Sequence, residues 1–364
     1  MLTPADVRRT GQSLWLDNLR RDFLLDGTLA RRMKDWAITG LTSNPSIFEK
    51  ALAAPFYAEP IARLAAAGRK PEEIFEEVAA EDIRLAADLL KPVFEASGGH
   101  DGYVSMEVSP KLARDAAGTA AEGMRLFEKI SRPNLMIKVP ATKEGLQAGE
   151  NLLREGVSVN FTLIFSLERY RAVTQAYTGA MSWRVRNSLP LDGLASVASF
   201  FVSRVDTAAD KALAAAGAKH LLGRTAVTNS LLSYELYREL FYNPGFKSSG
   251  IPPQRILWAS TSVKDPSYRP SKYMEELALE GSVNTAPEDA LEAYFREGRI
   301  NRQPLQERFA AAETHCTALK ASGVDFQKIL DDLETDGIDK FVQAYDGLLE
   351  LIAKTTKQPA PKAQ

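Results

Sequence analysis

One lysine in this sequence sits where a lysine is costly. Lys138 lies within Leu135-Met136-Ile137-Lys138-Val139-Pro140, an apolar run of the kind that a parallel sheet buries on both faces. Burial disfavours a charged ammonium. A lysine at a strand end can relieve that cost by snorkelling to water. The other explanation is chemical. A lysine amine of ordinary pKa, about 10.4, is neutral in roughly one molecule in a few thousand at pH 7. A site that lowers such a pKa to about 7 raises the free-amine fraction about a thousandfold. A free amine attacks a ketone and forms a Schiff base, whose iminium accepts electrons when a neighbouring carbon–carbon bond breaks.

That chemistry needs proton carriers. Asp17 follows Leu14-Trp15-Leu16, and Glu107 lies within Val104–Val108. A carboxylate among apolar neighbours has a raised pKa and trades protons near neutrality. Each can equally be a helix cap or half of a structural ion pair. Asn44, Asn160, Thr162 and Ser199 can hydrogen-bond sugar hydroxyls or hold a water, or can be ordinary turn and strand-end residues. Arg204 follows Ser199-Phe200-Phe201-Val202-Ser203. A guanidinium there can grip a phosphate with two parallel bonds. In the first turn of a helix it is slightly unfavourable, so an anion is expected as its partner.

The elements around these residues alternate. Short apolar runs centred near residues 15, 40, 105, 137, 160, 198, 257 and 284 read as strands. Helical patterns separate them: Leu25–Trp36, Pro71–Ala96, Ala113–Ile130, Thr142–Arg154, Leu167–Arg186, Arg204–Ala216 and Arg224–Phe241, with Thr142 and Ser166 as caps. Eight βα units imply an α/β fold, a single (β/α)8 TIM-type barrel, with additional C-terminal helices at Glu307–Ser322 and Phe326–Ala353. An open doubly wound sheet is the rival. Neither a G-x-G-x-x-G nor a G-x-x-x-x-G-K-[ST] motif supports it. One domain is expected over residues 1–354, with a disordered Pro/Ala/Lys-rich tail over 355–364. In such a barrel the functional side chains stand at the strand ends, and almost every strand here ends on a polar residue.

Composition excludes other classes. Of 364 residues, 45 are basic and 47 acidic, so the net charge of -2 gives no case for nucleic acid or an anionic membrane. No apolar run approaches a membrane span, and the first nine residues lack the apolar core of a signal peptide. A single cysteine, Cys316, permits no internal disulfide and fits a reducing, cytoplasmic setting. It reads as a packed or half-exposed thiol in a helix. His100, His220 and His315 are far apart, read as surface or loop residues, and offer no metal-ligand spacing.

The motifs taken together resemble the transaldolase family. Leu16-Asp17-Asn18, Gly40-Leu41-Thr42-Ser43-Asn44-Pro45-Ser46, Val104-Ser105-Met106-Glu107-Val108, Ile137-Lys138-Val139-Pro140-Ala141-Thr142, Val159–Ser166 and Ala198–Asp206 are similar to that family's motifs and follow its order. The likeness runs from about residue 12 to residue 290 and is closest to the longer bacterial branch, sometimes fused to a phosphoglucose isomerase; no such second domain is expected here. The resemblance implies that Lys138 forms a Schiff base with a dihydroxyacetone unit and that Asp17 is the acid/base group at the cleaved bond. It implies that Glu107 and Thr162 hold a proton-shuttling water. Asn44, Asn160 and Ser199 would bind hydroxyls of the C3 unit, Phe201 would wall the site, and Arg204 and Ser260 would bind phosphate. The substrates implied are phosphorylated sugars, with no metal and no organic cofactor.

Many members carry Ser-Phe-Arg after the seventh strand, and that arginine binds phosphate. This chain has Ser260-Thr261-Ser262 instead, and Lys264 is expected to substitute. Two rivals keep part of this reading: a Schiff-base aldolase acting on a C3 unit without obligatory transfer, and a non-catalytic barrel that senses sugar phosphates. The C-terminal helices exceed what closing a barrel needs, so they are expected to cover it or to form a homodimer contact.

Overall fold

Several strands are apolar runs followed at once by a residue that starts a helix. Pro140 ends one strand, and Thr142 Oγ1 accepts the Gly145 N–H at 2.9 Å to cap the helix Lys143–Arg154. Ser166 Oγ accepts the Arg169 N–H at 3.1 Å and caps Leu167–Arg186. Asn44 Oδ1 accepts the Ile47 N–H at 3.1 Å, with Pro45 in the first turn of Pro45–Leu52. These side chains satisfy amide donors that a helix start leaves orphaned.

A computed structural model of the chain describes residues 1–356. Its strands are β1 (Ser13–Leu16), β2 (Ile38–Leu41), β3 (Val104–Glu107), β4 (Leu135–Pro140), β5 (Val159–Ile164), β6 (Ser196–Phe201), β7 (Arg255–Ala259) and β8 (Val283–Ala286). They pair in chain order, all parallel, and β8 returns to β1. The protein is therefore a closed (β/α)8 barrel with extra C-terminal helices.

Register sets the layers of the interior. Glu107 on β3 pairs with Lys138 on β4, and Lys138 with Asn160 on β5. Residues in register point the same way, so these three share one layer. Nearer the strand starts, Trp15 is fully buried and donates its indole N–H to Asp101 Oδ1 at 2.8 Å. Arg255 donates to Ser13 Oγ at 2.6 Å and closes that end. Gly40 lies against the Trp15 ring, where a Cβ would stand 2.5 Å from indole Cε2.

The structure corrects several expectations. The helix expected over Leu25–Trp36 runs over Thr28–Asp35, and a separate short helix, Arg21–Leu25, precedes it across Gly27 at φ 78°. Helices also form at Pro45–Leu52 and Ala58–Ala66, where the prolines interrupt the apolar period. His315 is not a surface residue. It is buried on the helix Leu305–Ala321, with Nε2 3.3 Å from Thr225 Oγ1. Cys316 beside it is half-buried. Thr355, expected to open the tail, is the last residue of the helix Phe326–Thr355; the rest of that expectation, residues 357–364, lies outside the described residues. Among the described residues no helix is long and apolar enough to cross a membrane.

The C-terminal helices have different partners. Leu305–Ala321 packs on Thr225–Phe241 at the barrel's flank. Phe326–Thr355 packs on Pro45–Leu52, Pro71–Ala96, Ser203–Ala215 and β5, so it covers the barrel. Gly40→Ala tests how tightly the interior is filled: it is expected to lower the unfolding free energy by about 1–3 kcal/mol in urea titrations. An unchanged midpoint would mean that the Trp15 ring has room to shift.

Candidate active site

Lys138 is 5% exposed, and its amine points into the barrel. Nζ donates to the Ser43 carbonyl at 3.1 Å and lies 3.4 Å from Glu107 Oε2. The second distance is that of an ion pair. Neither Glu107 oxygen makes a hydrogen bond of good geometry within the protein. Burial pushes the Glu107 carboxyl up to about 7, with Lys138 opposing the rise and Asp17 adding to it. At neutral pH this group is divided between its two states and can take or give a proton.

Asp17 stands just past the end of β1. Thr42 Oγ1 donates to Asp17 Oδ1 at 2.6 Å and lies 2.6 Å from Thr285 Oγ1. One hydroxyl proton cannot serve both contacts. With Thr42 donating to the carboxylate, Thr285 donates to Thr42. Loss of hydration raises the Asp17 pKa, while the charge of Lys138, the Thr42 bond and the charge of Lys264 hold it down. Two carboxyls therefore flank one amine with their proton affinities raised by the same cause.

A ladder of polar groups crosses the barrel below them. Ser199 Oγ donates to Asn160 Oδ1 at 2.6 Å, and Asn160 Nδ2 donates to Ser105 Oγ at 3.1 Å. Asn160 keeps one N–H beyond this ladder. Thr162 is buried with no partner for its hydroxyl. It follows Asn160 by two residues in the same register with β4, so strand alternation turns both to the same face, and the irregularity lies next to it. Between Phe161 and Ile164, two residues of β5 stand opposite the single Ser199 of β6, and Leu163 takes φ 62°. This is a β-bulge, a device that re-aims side chains next to functional sites.

The phosphate-side residues are dispersed. Arg204 lies in the first turn of Ser203–Ala215, half-buried, with its guanidinium 5.3 Å from the Phe201 ring centre. Burial lowers its pKa, Asp336 opposes this, and Nη1 is buried without a hydrogen-bond partner. Phe201 also packs on Phe165, with ring centres 5.1 Å apart. Ser260 has φ 56° and places Oγ 3.0 Å from Ser203 Oγ. Lys264 is exposed, donates to Ser262 Oγ at 2.8 Å, and its charge reaches Asp17 across the mouth. Asn44 spends its side-chain oxygen on a helix cap, which leaves its amide N–H groups for a ligand.

The mouth opens into a cleft of about 640 Å³ lined by Asp17, Asn18, Arg20, Asn44 and Lys50. A second hollow of about 500 Å³ at the strand starts, lined by Trp15, Tyr103, Phe241 and Arg255, contains none of the expected residues. Among the described residues no group of three His, Cys, Asp or Glu side chains is arranged to hold a metal ion.

Sequence reasoning did not assign roles to Ser43, Thr42, Thr285 or Phe341. The first two lie in a quoted motif, and Thr285 ends a strand, so position alone could have raised them. Phe341, on the last helix, sits over Lys138 with its ring centre 5.6 Å from Nζ. No local pattern marks it.

Comparison with known proteins agrees with the geometry. Residues 14–352 match the family model described as Transaldolase/Fructose-6-phosphate aldolase. The chain is 44% identical to a transaldolase of Saccharopolyspora erythraea over 353 residues, covering 96% of each chain. It is 44% identical to one of Thermobifida fusca, covering 94% of this chain and 95% of the relative. Against one of Thiobacillus denitrificans it is 43% identical, covering 95% and 98%.

The raised Glu107 pKa has a stability signature. The folded state holds this proton more tightly than the unfolded chain, whose value is 4.5. The contribution favours folding below about 4.5 and is lost as pH rises through about 7. Glu107→Gln removes that loss. Relative to the unsubstituted protein it is expected to gain stability between pH 5 and pH 8 by roughly 1–3 kcal/mol, read by urea unfolding at both pH values. A parallel pH dependence in the two proteins would show that Glu107 ionises normally.

Proposed function

The chain belongs to the transaldolase/fructose-6-phosphate aldolase family, and we propose that it transfers a dihydroxyacetone unit from sedoheptulose 7-phosphate to glyceraldehyde 3-phosphate. The products are erythrose 4-phosphate and fructose 6-phosphate, as in the non-oxidative pentose phosphate pathway. The observation that carries this reading is the buried Lys138 amine, held 3.1 Å from a backbone carbonyl and 3.4 Å from a carboxyl whose pKa is pushed up to about 7.

The positions are compatible with the steps that the family resemblance implies. The Lys138 amine attacks the ketone carbon of the donor, and loss of water gives the iminium. Asp17 takes the proton from the hydroxyl beyond the scissile bond, the bond breaks, and an aldehyde leaves. The iminium has by then become an enamine. The enamine carbon attacks the acceptor aldehyde, Asp17 returns the proton, and water releases the new ketose. Glu107 and Thr162 hold the water that moves protons at the imine carbon. The free N–H of Asn160, together with Ser199 and Asn44, binds C3 hydroxyls, and Phe201 walls the C3 unit. The unpartnered Nη1 of Arg204, with Ser260, takes the phosphate. Buried polar atoms without partners are costly unless a ligand meets them, and a phosphorylated polyol supplies what Thr162 and Arg204 lack.

Lys264 is the cation we assign to the phosphate in place of the arginine that follows the seventh strand in many relatives. Its amine is exposed, lines a neighbouring hollow with Asp206, Asp210 and Tyr268, and acts on Asp17 through its charge. Lys264→Ala is expected to raise KM for both phosphorylated substrates about three- to tenfold with kcat little changed, as removal of uniform binding requires. Unchanged KM values would remove Lys264 from the site. In the unsubstituted protein, consumption of sedoheptulose 7-phosphate should require the aldehyde acceptor. Equal consumption without acceptor would favour an aldolase that releases a C3 unit freely.

A further inference from the structure

The helix Phe326–Thr355 brings one aromatic side chain to the reacting nitrogen. Phe341 is 5% exposed, and its ring centre lies 5.6 Å from Lys138 Nζ. Lys138 already faces Glu107 and the Ser43 carbonyl. The Phe341 ring therefore adds an apolar face to the surroundings of the amine.

Two features bring the helix this close. Gly337, one turn before Phe341, sits against β5, where a Cβ would stand 3.0 Å from Leu163 Cδ2 and 3.6 Å from Phe165 Cε2. Leu163 is the residue of the β5 bulge held at φ 62°. A non-glycine residue in that region costs about 1–2 kcal/mol. The bulge next to Thr162 thus sets Leu163 against the helix, and Gly337 admits it. The unpartnered hydroxyl of Thr162 and the apolar contact to the helix belong to adjacent residues of one strand.

From this we infer that Phe341 shields the lysine-bound C3 unit from water and so favours transfer over hydrolytic loss. The inference rests on the transaldolase reading. After cleavage the C3 unit remains as an enamine on Nζ. Transfer uses the enamine carbon to attack an aldehyde. The competing path protonates that carbon and adds water at the iminium carbon. The C–N bond then breaks, free dihydroxyacetone leaves, the amine is restored and one water is consumed. An apolar ring over Nζ removes one approach for that water while leaving the Glu107–Thr162 side, through which normal release proceeds.

The test compares free dihydroxyacetone released per C3 unit transferred, in the full-length chain, from sedoheptulose 7-phosphate with and without glyceraldehyde 3-phosphate. Phe341→Ala is expected to raise this ratio about tenfold, and Phe341→Leu, which keeps apolar volume but loses the flat face, by less. Leu348→Ala loosens the same helix two turns further on, where Leu348 is fully buried, and should leave the ratio unchanged. The inference is overturned if both Phe341 variants, folded by circular dichroism, lose transfer and release in equal proportion, or if Leu348→Ala moves the ratio as much. Should Phe341→Ala fail to fold, the ratio of Phe341→Leu against Leu348→Ala decides in the same way. Absence of any transfer by the unsubstituted chain would instead fail the transaldolase reading; transfer with an unmoved ratio fails the shield alone.

Discussion

The structure turns on an amine kept out of water. Removing an ammonium from solvent costs several kcal/mol even after the protein relaxes around it. The compensation at Lys138 is partial: one backbone carbonyl, one carboxyl at ion-pair distance and an aromatic face. The carboxyl is itself destabilised as an anion, because burial raises Glu107 to about 7 and the nearby Asp17 raises it further. A fully satisfied pair would be more stable and chemically inert. Here the charges are held close enough to exchange protons and too poorly bonded to lock.

That arrangement requires a frame that does not yield. The closed barrel supplies it, since each strand is fixed by two neighbours and no edge is free to shift. Register alone places Glu107, Lys138 and Asn160 in one layer. Two of the residues held in the left-handed region stand at the site: Leu163 in the bulge beside Thr162, and Ser260 at φ 56° beside Ser203. The last helix then packs over one side of the barrel, against β5 and neighbouring helices. Side chains that read as independent thus depend on one another: Thr285 acts on Asp17 through Thr42, and Gly337 on Lys138 through the helix that carries Phe341.

What could be read from the sequence was what has local cause. Lys138 showed itself because an apolar run surrounds it, and Thr142 and Ser166 showed themselves because caps have a fixed offset from the helices they start. All eight strands lie where the short strand-like runs are centred. The helices Pro45–Leu52 and Ala58–Ala66 were hidden by prolines that break periodicity without breaking these helices, because they sit near helix starts. His315 was misplaced because the helix Leu305–Ala321 has almost no apolar asymmetry in its sequence to mark the face that is buried. Phe341 was out of reach altogether. Its role depends on where a distant helix crosses the barrel, and that crossing is set by Gly337 and Leu163 packing together, not by any pattern around residue 341. The phosphate side was read least well, since Lys264 differs from the family pattern and its side chain lies at the exposed rim.

The most direct measurement is chemical trapping at the lysine. The protein is incubated with fructose 6-phosphate, reduced with borohydride, digested and mapped by mass spectrometry. If Lys138 is the nucleophile, the peptide that contains it carries a reduced dihydroxyacetone adduct and no other lysine does. Folded protein that leaves Lys138 unmodified, or carries the adduct on another lysine, would contradict a Schiff-base role for this buried amine.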